Sequence, residues 1–169
     1  MTFIGIGKTP LEVGEKAPNF LLLSSDGKTI SLESLNGKKV LLFFFRGTWC
    51  PQCSSHMRQI NKELSALKSE GIEVLGICCQ GFEPLAAFFK REKLFFPLLS
   101  DKTRDTAKAY GVYVYLSWDS ANIARPSFFL IDENGTIQYR YIGNHQWDRP
   151  DMEEIKKMAV KAHLPADKR

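Results

Sequence analysis

The sequence predicts an α/β domain with a mixed β-sheet, and three observations carry that expectation. The apolar run from Val40 to Phe45 is continuous rather than alternating, so it reads as a strand buried on both faces. A helical pattern follows it, with Met57, Ile60, Leu64 and Leu67 on one side, and then a second apolar strand at 72–78. Later, the turn Asp132-Glu133-Asn134-Gly135 separates two strand-like segments as a hairpin. Strands alternating with helices pair in parallel, and the hairpin adds antiparallel pairing, hence a mixed sheet.

Gly5, Gly7, Pro10, Gly14 and Pro18 make the start of the chain an irregular lead-in. Phe20 to Leu23, the Asp26-Gly27 turn and Thr29 to Ser31 then form an N-terminal β-hairpin. Asn36-Gly37 turns the chain into the 40–45 strand. Gly71 stops the helix that follows. Glu83-Pro84 opens another helix through Phe88 and Phe89, with Pro84 suited to a first helical turn. Residues 96–99 are a short extended piece, and Thr103 to Tyr110 a short helix closed by Gly111. Phe128 to Ile131 and Thr136 to Ile142 are the arms of the late hairpin. Residues 151–163 form a final amphipathic helix with Met152, Ile155, Met158 and Ala159 on one side. No repeat, low-complexity tract or linker divides the chain, so residues 1–169 read as one domain.

Composition narrows the function classes. With 44% hydrophobic and 25% charged residues the chain is an ordinary globular sequence, neither disordered nor a coiled coil. The six-residue apolar run is far short of the about 20 that a membrane span needs. A net charge of +4 from scattered Lys and Arg gives no nucleic-acid footprint. Four cysteines and no apolar leader point to a reducing, cytoplasmic setting, where paired thiols serve catalysis or metal binding more than structure.

Cys50-Pro51-Gln52-Cys53 is the constellation that carries chemistry. It stands where a buried strand gives way to a helix. The unpaired amides and dipole of a helix N-terminus stabilise a thiolate, so Cys50 ionises more readily than a free thiol. Cys53 falls on the same helical face and can attack a mixed disulfide or sulfenic acid on Cys50. Pro51 lacks an amide hydrogen that the first turn would leave unpaired anyway. A structural zinc site asks for four ligands, whereas the other two cysteines, Cys78 and Cys79, are adjacent and only His56 is near the motif. Haem attachment needs His after the second cysteine, and Ser54 stands there. Two inert core cysteines are the blandest alternative, and a strand-to-helix turn is an unusual place for them.

The segment Phe44-Phe45-Arg46-Gly47-Thr48-Trp49-Cys50-Pro51-Gln52-Cys53 resembles the active-site stretch of thioredoxin-fold proteins. More narrowly, the chain is similar to the peroxiredoxin-like branch, the alkyl hydroperoxide reductase/thiol-specific antioxidant family. Residues 13–20, 96–101, 107–112 and 125–132 carry that likeness along nearly the whole chain. The resemblance implies a thioredoxin-like three-layer sandwich and a thiol peroxidase working through Cys50 and Cys53. It implies no metal or other cofactor, and an external dithiol reductant such as a thioredoxin or glutaredoxin system. A thioredoxin-like exchange of protein or small-molecule disulfides is the alternative, and a non-enzymatic redox sensor a third. The peroxiredoxin pattern P-x-x-x-T-x-x-C, set on Cys53, meets Cys50 and Arg46 in its Thr and Pro slots; set on Cys50 it meets Gly47 and Phe43. Thr48 fits neither register.

The same resemblance places Trp49 as an apolar rim and implies a cis peptide bond before Pro126, packed against the cysteines. For a peroxidase, Arg125 is the first candidate and Arg46 the second for a cation that steers charge at the attacking sulfur; a plain solvated loop arginine is an equal reading of Arg125 and the leading one of Arg46. His56 reads as a surface histidine. Of Cys78 and Cys79, at most one can face the site, since adjacent strand residues point to opposite faces. The turn with His145, Trp147 and Asp148-Arg149-Pro150 carries no assigned chemistry.

Overall fold

The computed structural model describes residues 4–161, and the side chains of 7–161. In chain order the elements are β1 (Ile4–Ile6), β2 (Leu21–Ser24), β3 (Thr29–Ser31), β4 (Lys39–Phe44), α1 (Pro51–Ser69), β5 (Ile72–Cys78) and α2 (Phe82–Glu92). They continue with β6 (Leu98–Ser100), α3 (Asp105–Ala109), β7 (Tyr113–Leu116), β8 (Ala121–Ala124), β9 (Ser127–Ile131), β10 (Ile137–Ile142) and α4 (Met152–Lys161). The predicted end of the last helix, at 162–163, lies outside the described residues.

Seven strands form the main sheet in the order β10-β9-β4-β5-β6-β2-β3. β4, β5 and β6 are parallel, while β9 runs antiparallel to β4 and β2 antiparallel to β6. The mixed α/β sheet and the N-terminal hairpin β2–β3 thus follow the sequence reading. β4 is covered on both faces, and all six of its residues are buried. Leu41, Phe43 and Phe45 meet α1, α2 and α4, whose core residues include Met57, Ile60, Leu85, Phe88 and Ile155. Val40, Leu42 and Phe44 meet a second core under α3 and the lead-in, with Leu11, Phe20, Ala107 and Tyr110. Aromatic rings lock both sides: Phe43 against Phe96 and Phe128, and Phe44 against Tyr110 and Phe129.

One part of the architecture has no counterpart in the sequence pattern. β1, β7 and β8 make a separate three-stranded antiparallel sheet, although the lead-in reads as irregular and residues 113–124 show no pattern. Its strands are three or four residues long, and Tyr115 and Leu116 are exposed while Val114 and Ile123 are buried. So short a run cannot display an alternation that sequence could reveal.

Burial sorts the consequences of mutation. Phe44→Ala should cost about 3–5 kcal/mol in urea unfolding, because it empties a closed aromatic site. Leu21→Ala, on a side chain 71% exposed, should change stability by no more than about 0.5 kcal/mol. Similar losses in both would mean that β4 is not the centre of the core.

Candidate active site

β4 delivers the chain through Phe45, Arg46, Gly47, Thr48 and Trp49 to Cys50, which is the N-cap of α1 with extended backbone angles (φ −87°, ψ 114°). Pro51 occupies the first turn. Capping by sulfur is the local reason for the site: the Cys53 amide donates to Cys50 Sγ at 3.3 Å, satisfying one of the amides that a helix start leaves unpaired. Gly47 lets the Trp49 indole fold back over the loop, since a Cβ there would push the ring aside. Trp49 remains half-exposed, with the Arg46 guanidinium 4.9 Å from its ring centre.

The two sulfurs are buried and electrostatically unlike. The Cys53 side chain hydrogen-bonds to Cys50 and, with the Cys53 amide and the nearby Arg149 charge, outweighs burial to bring the Cys50 thiol down to about 5. Burial, followed by the hydrogen bond given to Cys50, pushes Cys53 well above the ordinary thiol range. One proton therefore sits between them, on Cys53.

Arg149 is the cation at the site. Its Nη2 lies 3.2 Å from Cys53 Sγ and 3.6 Å from Cys50 Sγ, and it also donates to the Gln146 carbonyl at 3.0 Å. The segment to which the sequence reading attached no chemistry thus supplies the group closest to the sulfurs. Arg149 is 96 residues from Cys53, and no local pattern links the two. The other two arginines point elsewhere. Arg125 Nε donates to the Gly143 carbonyl at 2.7 Å and Nη2 to Asn144 at 3.3 Å. Arg46 is engaged by Asp119 and by the Ser120 hydroxyl. Arg125 instead holds the segment after β10 that carries Arg149. Gly143 permits the approach, since the Pro126 and Asp148 carbonyls occupy the space of a Cβ. Asp148 pins the same segment by accepting from the Tyr141 hydroxyl (2.6 Å) and the Asn144 amide (2.7 Å).

Two further expectations are corrected. The bond before Pro126 is trans, as no described peptide bond is cis. An extended trans chain lets the Pro126 carbonyl take the Gly143 amide at 2.7 Å and Ser127 begin β9, and trans is the ordinary preference of X-Pro bonds. Pro126 still lines, with Cys53, His56 and Arg149, a cavity of about 10 Å³. His56 is buried rather than at the surface, against the Phe128 ring at 5.2 Å. Burial and the Arg149 charge bring it down to about 4, so it is neutral at pH 7. Its hydrogen bond to the Pro150 backbone goes to the carbonyl, the only polar group that proline offers there.

Thr48 has a partner that sequence reading missed. Gln80 Oε1 accepts the Thr48 amide at 2.8 Å, and Gln80 Nε2 donates to the Thr48 hydroxyl at 3.3 Å. The Cys78 thiol reaches the same Gln80 oxygen at 3.5 Å. Cys78 belongs to the core that holds Cys50 and Cys53, whereas Cys79 packs toward the opposite core, in keeping with opposite strand faces. Burial raises both thiols, Cys79 to about 12. Among the described residues no three His, Cys, Asp or Glu side chains converge as metal ligands, and no helix is long and apolar enough to cross a membrane.

Residues 13–140 match the AhpC/TSA family. The chain belongs to that family. A relative named putative peroxiredoxin bcp from Haemophilus influenzae is 37% identical over 131 residues, 76% of this chain and 84% of its own. Peroxiredoxin Bcp of Escherichia coli is 33% identical over 133 residues, covering 77% and 85%. A thiol-disulfide oxidoreductase ResA from Bacillus thuringiensis is 34% identical over 128 residues, covering 75% and 68%. Among solved structures, the reduced 2-Cys peroxiredoxin of Plasmodium vivax superposes with a TM-score of 0.77 at 27% identity, over 94% of this chain and 89% of that one. A peroxiredoxin-like protein from Aquifex aeolicus reaches 0.82 at 17% identity, over 93% and 90%, a likeness of fold. The thioredoxin-like, peroxiredoxin-type architecture is thus that of the AhpC/TSA family, and the chain is a thiol-based oxidoreductase by that membership.

Two titrations should expose this electrostatic arrangement. Thiolate absorbance of the reduced protein should rise with a midpoint near pH 5, and both Cys53→Ala and Arg149→Met should move that midpoint upward. An unchanged midpoint in both variants would dissociate it from these contacts. His56 titrates lower in the folded than in the unfolded chain, where about 6.5 is normal, so acid protonates the unfolded state first. Its contribution is complete above pH 6.5 and lost as the pH falls from 6.5 to 4, at most about 3 kcal/mol. Stability of His56→Phe should depend less steeply on pH across that window.

Proposed function

We propose that this protein reduces peroxides, with Cys50 as the attacking thiolate and Cys53 as the resolving thiol. The observation that carries the reading is the shared environment of the two sulfurs: a low-pKa Cys50 capping α1, a protonated Cys53 beside it, and one guanidinium reaching both. The relatives named peroxiredoxin support it. Cys50 S⁻ attacks one peroxide oxygen, the O–O bond breaks, and the departing oxygen takes a proton. Cys50 is then a sulfenic acid. Cys53 gives up its proton, attacks Cys50 Sγ and expels hydroxide, which leaves as water with that proton. The Cys50–Cys53 disulfide stores the oxidation until an external dithiol, of the thioredoxin or glutaredoxin kind, reduces it. Arg149, not Arg125 or Arg46, is the cation placed to stabilise charge developing on the peroxide oxygens. Thr48, Trp49, Pro51 and Pro126 shape the site around the pair. We place the protein in the cytoplasm, where such reductants operate.

A specific observation keeps a second reading alive. The C-x-x-C spacing and the 34% identical relative named thiol-disulfide oxidoreductase fit an exchanger of disulfides. In that reading the same Cys50 thiolate attacks a sulfur, and Cys53 again resolves the product.

Rapid mixing with hydrogen peroxide separates the two. Cys50→Ser should abolish disulfide formation, and Cys53→Ser should stop at a sulfenic acid on Cys50. Arg149→Met should slow Cys50 oxidation by about a hundredfold, while Arg125→Met should act only through a displaced Arg149 and so cost less. A wild-type peroxide rate no faster than that of a simple low-pKa thiol, and unaltered in Arg149→Met, would leave disulfide exchange as the function.

A further inference from the structure

On the Trp49 side of the cysteine loop a mostly polar cavity of about 320 Å³ opens, lined among others by Arg46, Trp49, Gln80, Arg104, Asp119 and Asn122. None of the chemistry described above uses it. Arg46 is only 3% exposed, and its Nε is buried with no hydrogen-bond acceptor among the described residues. Arg104 Nε is in the same condition. Both Nε atoms are sealed behind the cavity wall, and unmet donors of this kind destabilise the fold, which marks the two guanidinium groups as held there at a cost. Asp119 is the carboxylate of the lining, and it is already engaged by Arg46 and by the Ser117 and Ser120 hydroxyls. Two guanidinium groups therefore face one committed carboxylate. Arg104 (φ 69°) and Asn122 (φ 55°) are two of the three described non-glycine residues in the left-handed region. Strain of this kind gathers at ligand sites. Asn122 Oδ1 accepts the Tyr113 hydroxyl, which leaves its amide hydrogens as donors.

We propose that this pocket is a carboxylate-binding subsite for a small, polar thiol that reduces the Cys50–Cys53 disulfide. The proposal rests on the redox pair put forward above. The donors call for an anion, the polar wall is unsuited to an alkyl chain, and the volume suits a molecule of tripeptide size. Trp49, the residue before Cys50, and Gln80, which holds the Thr48 amide, both line the cavity, so a molecule anchored here lies beside the cysteine loop and reaches Cys50 by displacing the half-exposed Trp49 ring. The thiolate of a first molecule attacks Cys50 Sγ and the disulfide breaks; Cys53 leaves with the electron pair and takes up a proton. A second thiolate then attacks the sulfur of the first molecule, releasing the small disulfide and the Cys50 thiolate. Two thiols are oxidised and one protein disulfide is reduced.

The test uses glutathione, its diethyl ester and dithiothreitol as reductants of the peroxide-oxidised protein in stopped flow. Glutathione should outpace the ester by about tenfold in wild type, the effect of one charge-assisted contact. Arg104→Met should abolish that advantage, Arg104→Lys should keep part of it, and dithiothreitol should act equally on all three proteins. Equal rates for glutathione and its ester in wild type, with dithiothreitol effective, would overturn the subsite and leave the redox pair standing. A second arm needs no turnover: S-methylglutathione should shift the Trp49 indole N–H resonance of the reduced wild type but not of Arg104→Met. Absence of a shift in wild type overturns the subsite. Should peroxide fail to oxidise Cys50 at all, the redox reading falls, and a shift confined to the protein with Arg104 would still support an anion site.

Discussion

One guanidinium held against two buried sulfurs is the constraint on which the site depends. Removing a thiolate from water is costly, and burial on its own drives both cysteines toward the neutral form. The cost is offset for one sulfur alone, by donors aimed at Cys50 from the Cys53 side chain and amide and by the charge of Arg149. Cys53 keeps the proton because its burial and the hydrogen bond it gives to Cys50 outweigh the charge and hydrogen bond of Arg149. The asymmetry between two residues of the same type comes from position: Cys50 stands ahead of the helix and receives the Cys53 amide, while Cys53 lies inside the first turn.

The second tier exists to hold Arg149 still. Arg125, Asp148, Tyr141 and Gly143 bind the segment between β10 and α4 to itself and to Pro126. A neutral His56 beneath Pro150 belongs to this tier as well, since a protonated imidazole there would repel Arg149. On the other flank, Gln80, two residues past the end of β5, fixes the Thr48 amide, so the sheet supports the cysteine loop from that side too. The geometry of this loop therefore depends on the parallel pairing of β4 with β5, Phe44 opposite Ile77.

The sequence makes the central sheet legible because β4, β5, α1 and the late hairpin are long and strongly patterned. The small sheet is not legible, because three- and four-residue strands leave no periodicity to read. At the site, the redox motif stands out from local spacing alone. Its cation does not. Arg46 and Arg125 are the arginines next in sequence to the motif and to Pro126, and each is taken by another partner in space. Arg149 comes into reach through the path of a turn, a tertiary fact with no sequence signature. The burial of His56 is hidden from the sequence for a related reason. It lies on the sheet side of α1, under a segment that arrives late in the chain, and helical spacing alone does not reveal what covers it.

The separation between Cys53 and Arg149 has a consequence during synthesis. At roughly 5–20 residues per second, a ribosome adds the intervening 96 residues in about 5–20 s. For that interval the nascent chain carries both thiols without the charge that helps to ionise the first of them. Until the turn after β10 emerges and docks, Cys50 is closer to an ordinary, sluggish thiol. Completion of the chain, rather than the appearance of the motif, is what arms it.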